Sequence, residues 1–139
     1  MPDVLTLVIA VYNEADTLPL LQPRIAQVLD GLRRDRVDSR ILYVDDGSTD
    51  ASWWVLRDIA SHDGRVSLLR LSRNFGKELA LTAGLDQVDA DAALVLDADG
   101  QDPPELLPQF VAHWRAGADV VYGRRSSRRG ESWLKRSTA

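Results

Sequence analysis

The chain has 139 residues, 45% of them hydrophobic and 27% charged, the composition of one globular domain large enough to bury a core. It has no cysteine, which excludes disulfides and thiolate metal sites, and only two histidines, His62 and His113, so any metal must sit on oxygen. The net charge of -4 hides an asymmetry: from Arg124 onward there are six cations against one acid, Glu131, a basic tail on an acidic body that suits an anionic partner such as phosphate or a lipid surface.

Short apolar runs rich in β-branched residues alternate along the chain with stretches of helical periodicity. The first strand is expected over Leu5 to Val11 and the first helix over about Glu14 to Arg34. Asn13 would be its N-cap, and Leu18, Leu21, Ile25, Val28, Leu29 and Leu32 form one stripe. A strand from Arg40 to Asp45 leads to a helix after Ser48, its candidate N-cap, with Ala51, Val55, Leu56 and Ile59 turned inward. Val66 to Ser72 reads as the third strand, and about Gly76 to Gln87 as a helix offering Leu79, Ala80, Ala83 and Leu85 for packing. Ala92 to Leu96, apolar throughout, has the pattern of a strand covered on both faces and is expected at the centre of the sheet. Pro103-Pro104 opens a helix carrying Leu106, Leu107, Phe110, Val111 and Trp114, and Asp119 to Tyr122 is a fifth strand. Trp53, Trp54 and Trp114 are assigned to packing, and the histidines to structural roles. This alternation predicts an α/β fold with a mainly parallel sheet. No run approaches the roughly 18 apolar residues of a membrane span, and the N-terminus lacks a signal-peptide layout, so the chain itself is expected to be soluble.

In such a sheet, ligands bind outside the carboxyl ends of the strands. The acids fall there: Tyr12-Asn13-Glu14 ends the first strand, Asp45-Asp46-Gly47-Ser48 the second, and Asp97-Ala98-Asp99-Gly100-Gln101-Asp102 the fourth. Asp97 and Asp99 are two apart, so in extended backbone they project to one side and can share a hard cation, with Gln101 as a neutral third oxygen. A D-x-D triplet alone is better explained by a turn; its place after a wholly apolar strand reverses that and favours the cation. Asp-Gly and Ser48 likewise suit a turn and a helix cap, but adjacent acids at the end of a buried strand suit acceptors for a base N–H or ribose hydroxyls. Arg73 and Lys77 flank a glycine turn before a helix, where cations meet phosphate, whereas Arg70 reads equally well as surface charge.

Together, Ile9-Ala10-Val11-Tyr12-Asn13-Glu14, Val44 to Asp50, Leu71-Ser72-Arg73-Asn74-Phe75-Gly76-Lys77 and Asp97 to Glu105 closely resemble the family-2 inverting glycosyltransferases of the dolichol-phosphate mannose synthase and undecaprenyl-phosphate glycosyltransferase type. The resemblance runs in order along essentially the whole chain. It implies a GT-A fold, a Rossmann-like three-layer sandwich, with residues 1–123 as the nucleotide-sugar-binding catalytic core and 124–139 as a basic segment leading toward an interface or membrane region. It further implies that Ala10, Tyr12, Glu14, Asp45 and Asp46 line the nucleotide pocket, and that Asp97, Asp99 and Gln101 hold Mg2+ or Mn2+ and the donor diphosphate. Asp97, Asp99 and Arg124 are the catalytic candidates, and Arg73, Lys77 and Arg128 the phosphate contacts. Ala10 stands where many relatives have proline.

The implied partners are a UDP- or GDP-linked sugar, a polyisoprenyl phosphate and a membrane surface, at the cytoplasmic face of the membrane in the full-length protein. No nucleic acid is expected, and the oligomeric state, the sugar and the choice of nucleotide are left open. Family members continue into interface and membrane helices, so the acceptor side is expected to be incomplete in a chain ending at Ala139. Two alternatives stand beside this reading: a fragment that binds nucleotide sugar without turnover, and transfer to a sugar hydroxyl, for which Asp102 would be the candidate base. A sugar nucleotidyltransferase would need a phosphate cradle after the first strand, and Tyr12-Asn13-Glu14 is neither glycine-rich nor basic.

Overall fold

The computed structural model describes residues 2–99 and 101–117 in full, and the backbone alone of 120–125 and 132–137. Strand β1 (Asp3–Val11) is followed by helix α1 (Leu18–Arg34), β2 (Val37–Asp45), α2 (Ser52–His62), β3 (Val66–Arg70), α3 (Lys77–Leu85) and β4 (Ala92–Asp97). A 3-10 turn at Pro104–Leu106 then runs into α4 (Leu107–Arg115). The first four strands form one parallel sheet in the order β3-β2-β1-β4. The chain therefore moves outward from β1 through β2 to β3, then crosses back to place β4 on the other side of β1. That reversal opens a crevice at the carboxyl ends of β1 and β4, the place where α/β sheets bind ligands.

Alternation along the strands builds the layers. Leu5, Leu7, Ile9 and Val11 of β1 enter one core with Leu18, Leu21, Ile25 and Leu29 of α1, Leu56 of α2 and Leu107 and Val111 of α4. On the opposite face Val8, Leu42 and Val44 meet Ala80 of α3. The result is helix, sheet, helix: the parallel α/β sheet expected from the alternating pattern, in the three-layer sandwich that the family resemblance implies. Deep in the larger core, the fully buried Tyr43 hydroxyl donates to Gln22 Oε1. Burial of this phenol raises its pKa far above the usual tyrosine value.

The position of β4 differs from expectation. Among the described residues it is the outer strand of the parallel sheet, and β1 and β2 are the inner ones. Leu96 is buried against the larger core, but Val95, facing the other way, is 47% exposed. The reason lies in α3. A Cβ on Gly84 would stand 2.7 Å from Val8 Cγ1 and 2.8 Å from Val44 Cγ2, so this bare helix face settles over β1 and β2 and leaves β4 uncovered. Leu79 and Leu85 accordingly stay exposed, while Ala80 and Gly84 make the contact. Trp54 is also 63% exposed, with the Arg57 guanidinium over its ring at 5.4 Å, rather than packed inside.

The fifth strand, β5 (Val120–Arg125), pairs antiparallel with β6 (Ser132–Ser137) in a separate two-stranded ribbon. Arg124 thus belongs to a strand, and its side chain lies outside the described residues, as does Arg128 altogether. Among the described residues no helix is long and apolar enough to cross a membrane.

Candidate functional site

The end of β2 is built around Asp46, which is 2% exposed. Its carboxylate accepts the backbone N–H groups of Phe75 at 2.8 Å and Gly76 at 3.1 Å, and the Asn74 side-chain amide at 3.2 Å. The same amide donates to the Asp46 carbonyl at 3.2 Å, and the Asp46 N–H reaches back to the Val11 carbonyl at 2.8 Å. Asp46 therefore fastens the loop before α3 to the ends of β1 and β2. The loop lies so close that a Cβ at Gly47 would be 2.3 Å from the Arg73 carbonyl carbon and the Asn74 nitrogen, and Gly47 has φ 71°, so no other residue fits. Asp45 is fully buried; one oxygen accepts the Ser48 N–H at 3.2 Å, and the other lies 3.8 Å from Arg70 Nε. Arg70 itself lies over the Trp53 ring at 4.8 Å, a more specific place than surface charge.

The turn after β1 and the turn after β2 satisfy one another. Asn13, at φ 54°, accepts the N–H groups of Thr49 at 2.8 Å and Asp50 at 3.2 Å. In return its own N–H donates to Ser48 Oγ at 3.0 Å, and the Glu14 N–H donates to Ser52 Oγ at 2.8 Å. This corrects both expected helix caps. Thr17 and Ala51 occupy the N-cap positions of α1 and α2 without side-chain hydrogen bonds, while Asn13 and Ser48 serve loop groups some 35 residues away in sequence. The physical cause is that the orphan donors of two adjacent strand exits lie closer to these side chains than the helix starts do. Asp50 accepts the Ser52 N–H at 2.8 Å and the Ala15 N–H at 3.3 Å. Partial desolvation works against its ionisation, but these hydrogen bonds prevail and hold its carboxyl below the usual range.

Across β1, the end of β4 carries Asp97 and Asp99 with Ala98 buried between them. The Asp97 N–H donates to Asp102 Oδ2 at 3.2 Å and the Gln101 N–H to Asp99 Oδ1 at 3.0 Å. Lys77 Nζ forms an ion pair with Asp97 Oδ1 from the opposite wall. Between them is a cleft of about 140 Å3, lined by Ala10, Val11, Tyr12, Asp46, Lys77, Asp97, Ala98 and Asp99. Of the expected site residues, Ala10, Tyr12, Asp46, Lys77, Asp97 and Asp99 thus come together. Glu14, Asp45, Arg73 and Gln101 do not line this cleft, and the Arg73 guanidinium stacks on Phe75 at 4.0 Å.

Among the described residues there is no group of three or more histidines, cysteines or acids placed to hold a metal ion. Asp97 and Asp99 remain a fitting pair for a hard divalent cation, with oxygen donors at the mouth of an open cleft and Gln101 two residues on. One anchor of this loop was not foreseen. Glu105, just after the Pro-Pro pair, receives Arg24 of α1 in a fork of 2.6 and 3.2 Å and joins the far end of the loop to the first helix. The two are 81 residues apart, so no local pattern could reveal the contact.

Comparison with known proteins agrees with this geometry. The family model for glycosyl transferase family 2 matches residues 6–138. The chain is 44% identical over 135 residues to an uncharacterized glycosyltransferase of Synechocystis sp., covering 97% of this chain and 42% of that protein. It is 39% identical over 135 residues to the bactoprenol glucosyl transferase of Shigella phage SfX, covering 97% of this chain and 43% of that protein. A mannosyltransferase from Pyrobaculum calidifontis, solved in complex with GDP-Man and Mn2+, shares the fold with a TM-score of 0.63 at 23% identity, over 94% of this chain and 38% of that one. The chain thus spans under half the length of the relatives it matches. With its three-layer sandwich of the GT-A type and its acidic cleft at the β1–β4 reversal, the chain belongs to glycosyl transferase family 2.

Proposed function

We propose that the chain is the donor-binding part of an inverting glycosyltransferase that moves a sugar from a nucleoside diphosphate to a polyisoprenyl phosphate. The observation that carries this reading is the convergence of Tyr12, Asp46, Lys77, Asp97 and Asp99 on one cleft where the strand order reverses. Tyr12, 44% exposed, offers a ring face for a base, while Asp46 still has acceptor capacity beyond the donors it already receives. Lys77 is the cation that faces a diphosphate among the described residues lining the cleft. Asp97 and Asp99, with Gln101, would hold Mg2+ or Mn2+, which when bound neutralises charge developing on the departing diphosphate.

The acceptor reading is supported by chemistry and by the relative whose name specifies bactoprenol. A phosphate monoester has its second pKa near about 6, so a lipid phosphate is an ionised nucleophile at neutral pH and needs no dedicated base. The hydroxyl acceptor is less well supported, since Asp102, its candidate base, has one oxygen engaged by the Asp97 N–H. The basic residues from Arg124 onward, Arg128 among them, suit an anionic membrane surface or the acceptor phosphate, and support a site of action at the cytoplasmic face of a membrane for the whole protein.

Calorimetric titration with UDP and GDP, each with and without Mn2+, tests this reading. Binding of one nucleotide that requires Mn2+ is the expected result and names the donor class. Binding of neither would remove the support for a donor site formed by this chain.

A further inference from the structure

Lys77 is the first residue of α3, and its main chain is held in place by the two residues before it, whose N–H groups donate to the buried Asp46. From that fixed start the side chain crosses the cleft to Asp97 Oδ1. The Lys77 side chain is 56% exposed and that of Asp97 26% exposed, so neither needs the other for burial, and an ion pair this open contributes little to stability. Its consequence lies in binding. A divalent cation shared by Asp97 and Asp99 would stand against the ammonium group, like charge beside like charge, and Lys77 would have to leave Oδ1. A lysine can do so without moving its backbone, because four rotatable carbons separate the charge from the Cα. The anion that would receive it is a diphosphate entering the same cleft.

We propose that Lys77 couples cation and nucleotide binding: it opposes a divalent cation at Asp97 on its own and favours the cation and a nucleoside diphosphate together. This rests on the reading of Asp97 and Asp99 as the cation ligands. Because linkage is reciprocal, the factor by which nucleotide tightens the cation equals the factor by which the cation tightens nucleotide. Lys77 sets part of that factor. A lysine serving only as a structural tie would lower both affinities when removed, whereas a coupling lysine makes the two change in opposite directions.

The test is Mn2+ binding followed by the electron paramagnetic resonance signal of free Mn2+, first with the chain alone and then with UDP or GDP present. Lys77→Met is expected to bind Mn2+ alone about five- to tenfold more tightly than the wild type. In saturating Mn2+ it should bind the nucleoside diphosphate about tenfold more weakly. Lys77→Arg, which keeps the charge, should retain the wild-type order, and near-ultraviolet circular dichroism checks that each variant is folded. Unchanged or weaker Mn2+ binding by folded Lys77→Met overturns the coupling. Asp99→Asn separates the two levels: if it holds Mn2+ as the wild type does, the cation lies elsewhere, and the site reading fails together with the coupling built on it.

Discussion

The ends of β2 and β4 each present a pair of acids to the same rim, and the fold uses the two pairs in opposite ways. Asp45 and Asp46 are 0% and 2% exposed, and Asp46 alone receives two backbone N–H groups and a side-chain amide. Asp99 is exposed, and the charged partner of Asp97 is a lysine on a flexible stem. Asp46 holds loops together; on the proposed reading, Asp97 and Asp99 take the cation. Residue type and place at a strand end are the same, so the difference comes from what passes overhead. The loop at residues 73–76 crosses the end of β2 close enough to aim its amides at Asp46, whereas Asp99 accepts the N–H of Gln101, two residues on.

The sharpest way to break this contrast is to remove the engaged acid. Asp46→Ala leaves the Phe75 and Gly76 N–H groups without their carboxylate acceptor and the Asn74 amide with the Asp46 carbonyl alone, and should cost about 3 kcal/mol of unfolding free energy, read by urea denaturation. Gly47→Ala acts on the same junction through sterics, since the new methyl would meet main-chain atoms at 2.3 Å and φ is 71°. Its expected cost is about 2–3 kcal/mol by the same measurement. If either variant were as stable as the wild type, Asp46 would not be the fastening described above.

The available pair should behave in the converse way. Asp99→Ala is expected to weaken Mn2+-dependent nucleotide binding tenfold or more, a loss of about 1.4 kcal/mol, while the urea midpoint stays within error. Binding that persists within about twofold would deny Asp99 a role in holding the cation, and a large fall in stability would make it a structural acid like Asp46.

The sheet and its helices were legible because apolar runs and 3.6-residue stripes are local: Ile9, Leu29 and Leu56 are buried where periodicity places them. The convergence of Tyr12, Asp46, Asp97 and Asp99 was legible for the same reason, since each follows an apolar strand and parallel strands end together. What escaped was nonlocal. Asn13 and Ser48 look like helix caps because capping is judged within three or four residues, yet their partners lie across a neighbouring strand exit. An apolar run such as Ala92 to Leu96 shows that a strand can be covered on both faces, but the small contact at Gly84 decides which strands α3 covers. Nor could the spelling Asp45-Asp46 reveal which oxygen would meet an amide from residue 75.

The smallest effect expected concerns a third set of carboxylates, engaged but far from the cleft. Asp63 receives the Arg65 guanidinium at 2.9 and 3.0 Å, and this hydrogen bond, against some desolvation, holds its carboxyl below the usual range. A carboxyl with a lower pKa in the folded chain than in the unfolded one adds stability that is fully present above the unfolded value, near about 4, and is lost as pH falls through the folded value. Asp63→Asn should therefore be less stable than the wild type at pH 7 by no more than about 1 kcal/mol, with the gap closing below about pH 4. Urea midpoints of both proteins between neutral pH and pH 3 measure it. A gap that stayed constant with pH would mean that Asp63 acts through shape and neutral hydrogen bonding rather than through its charge.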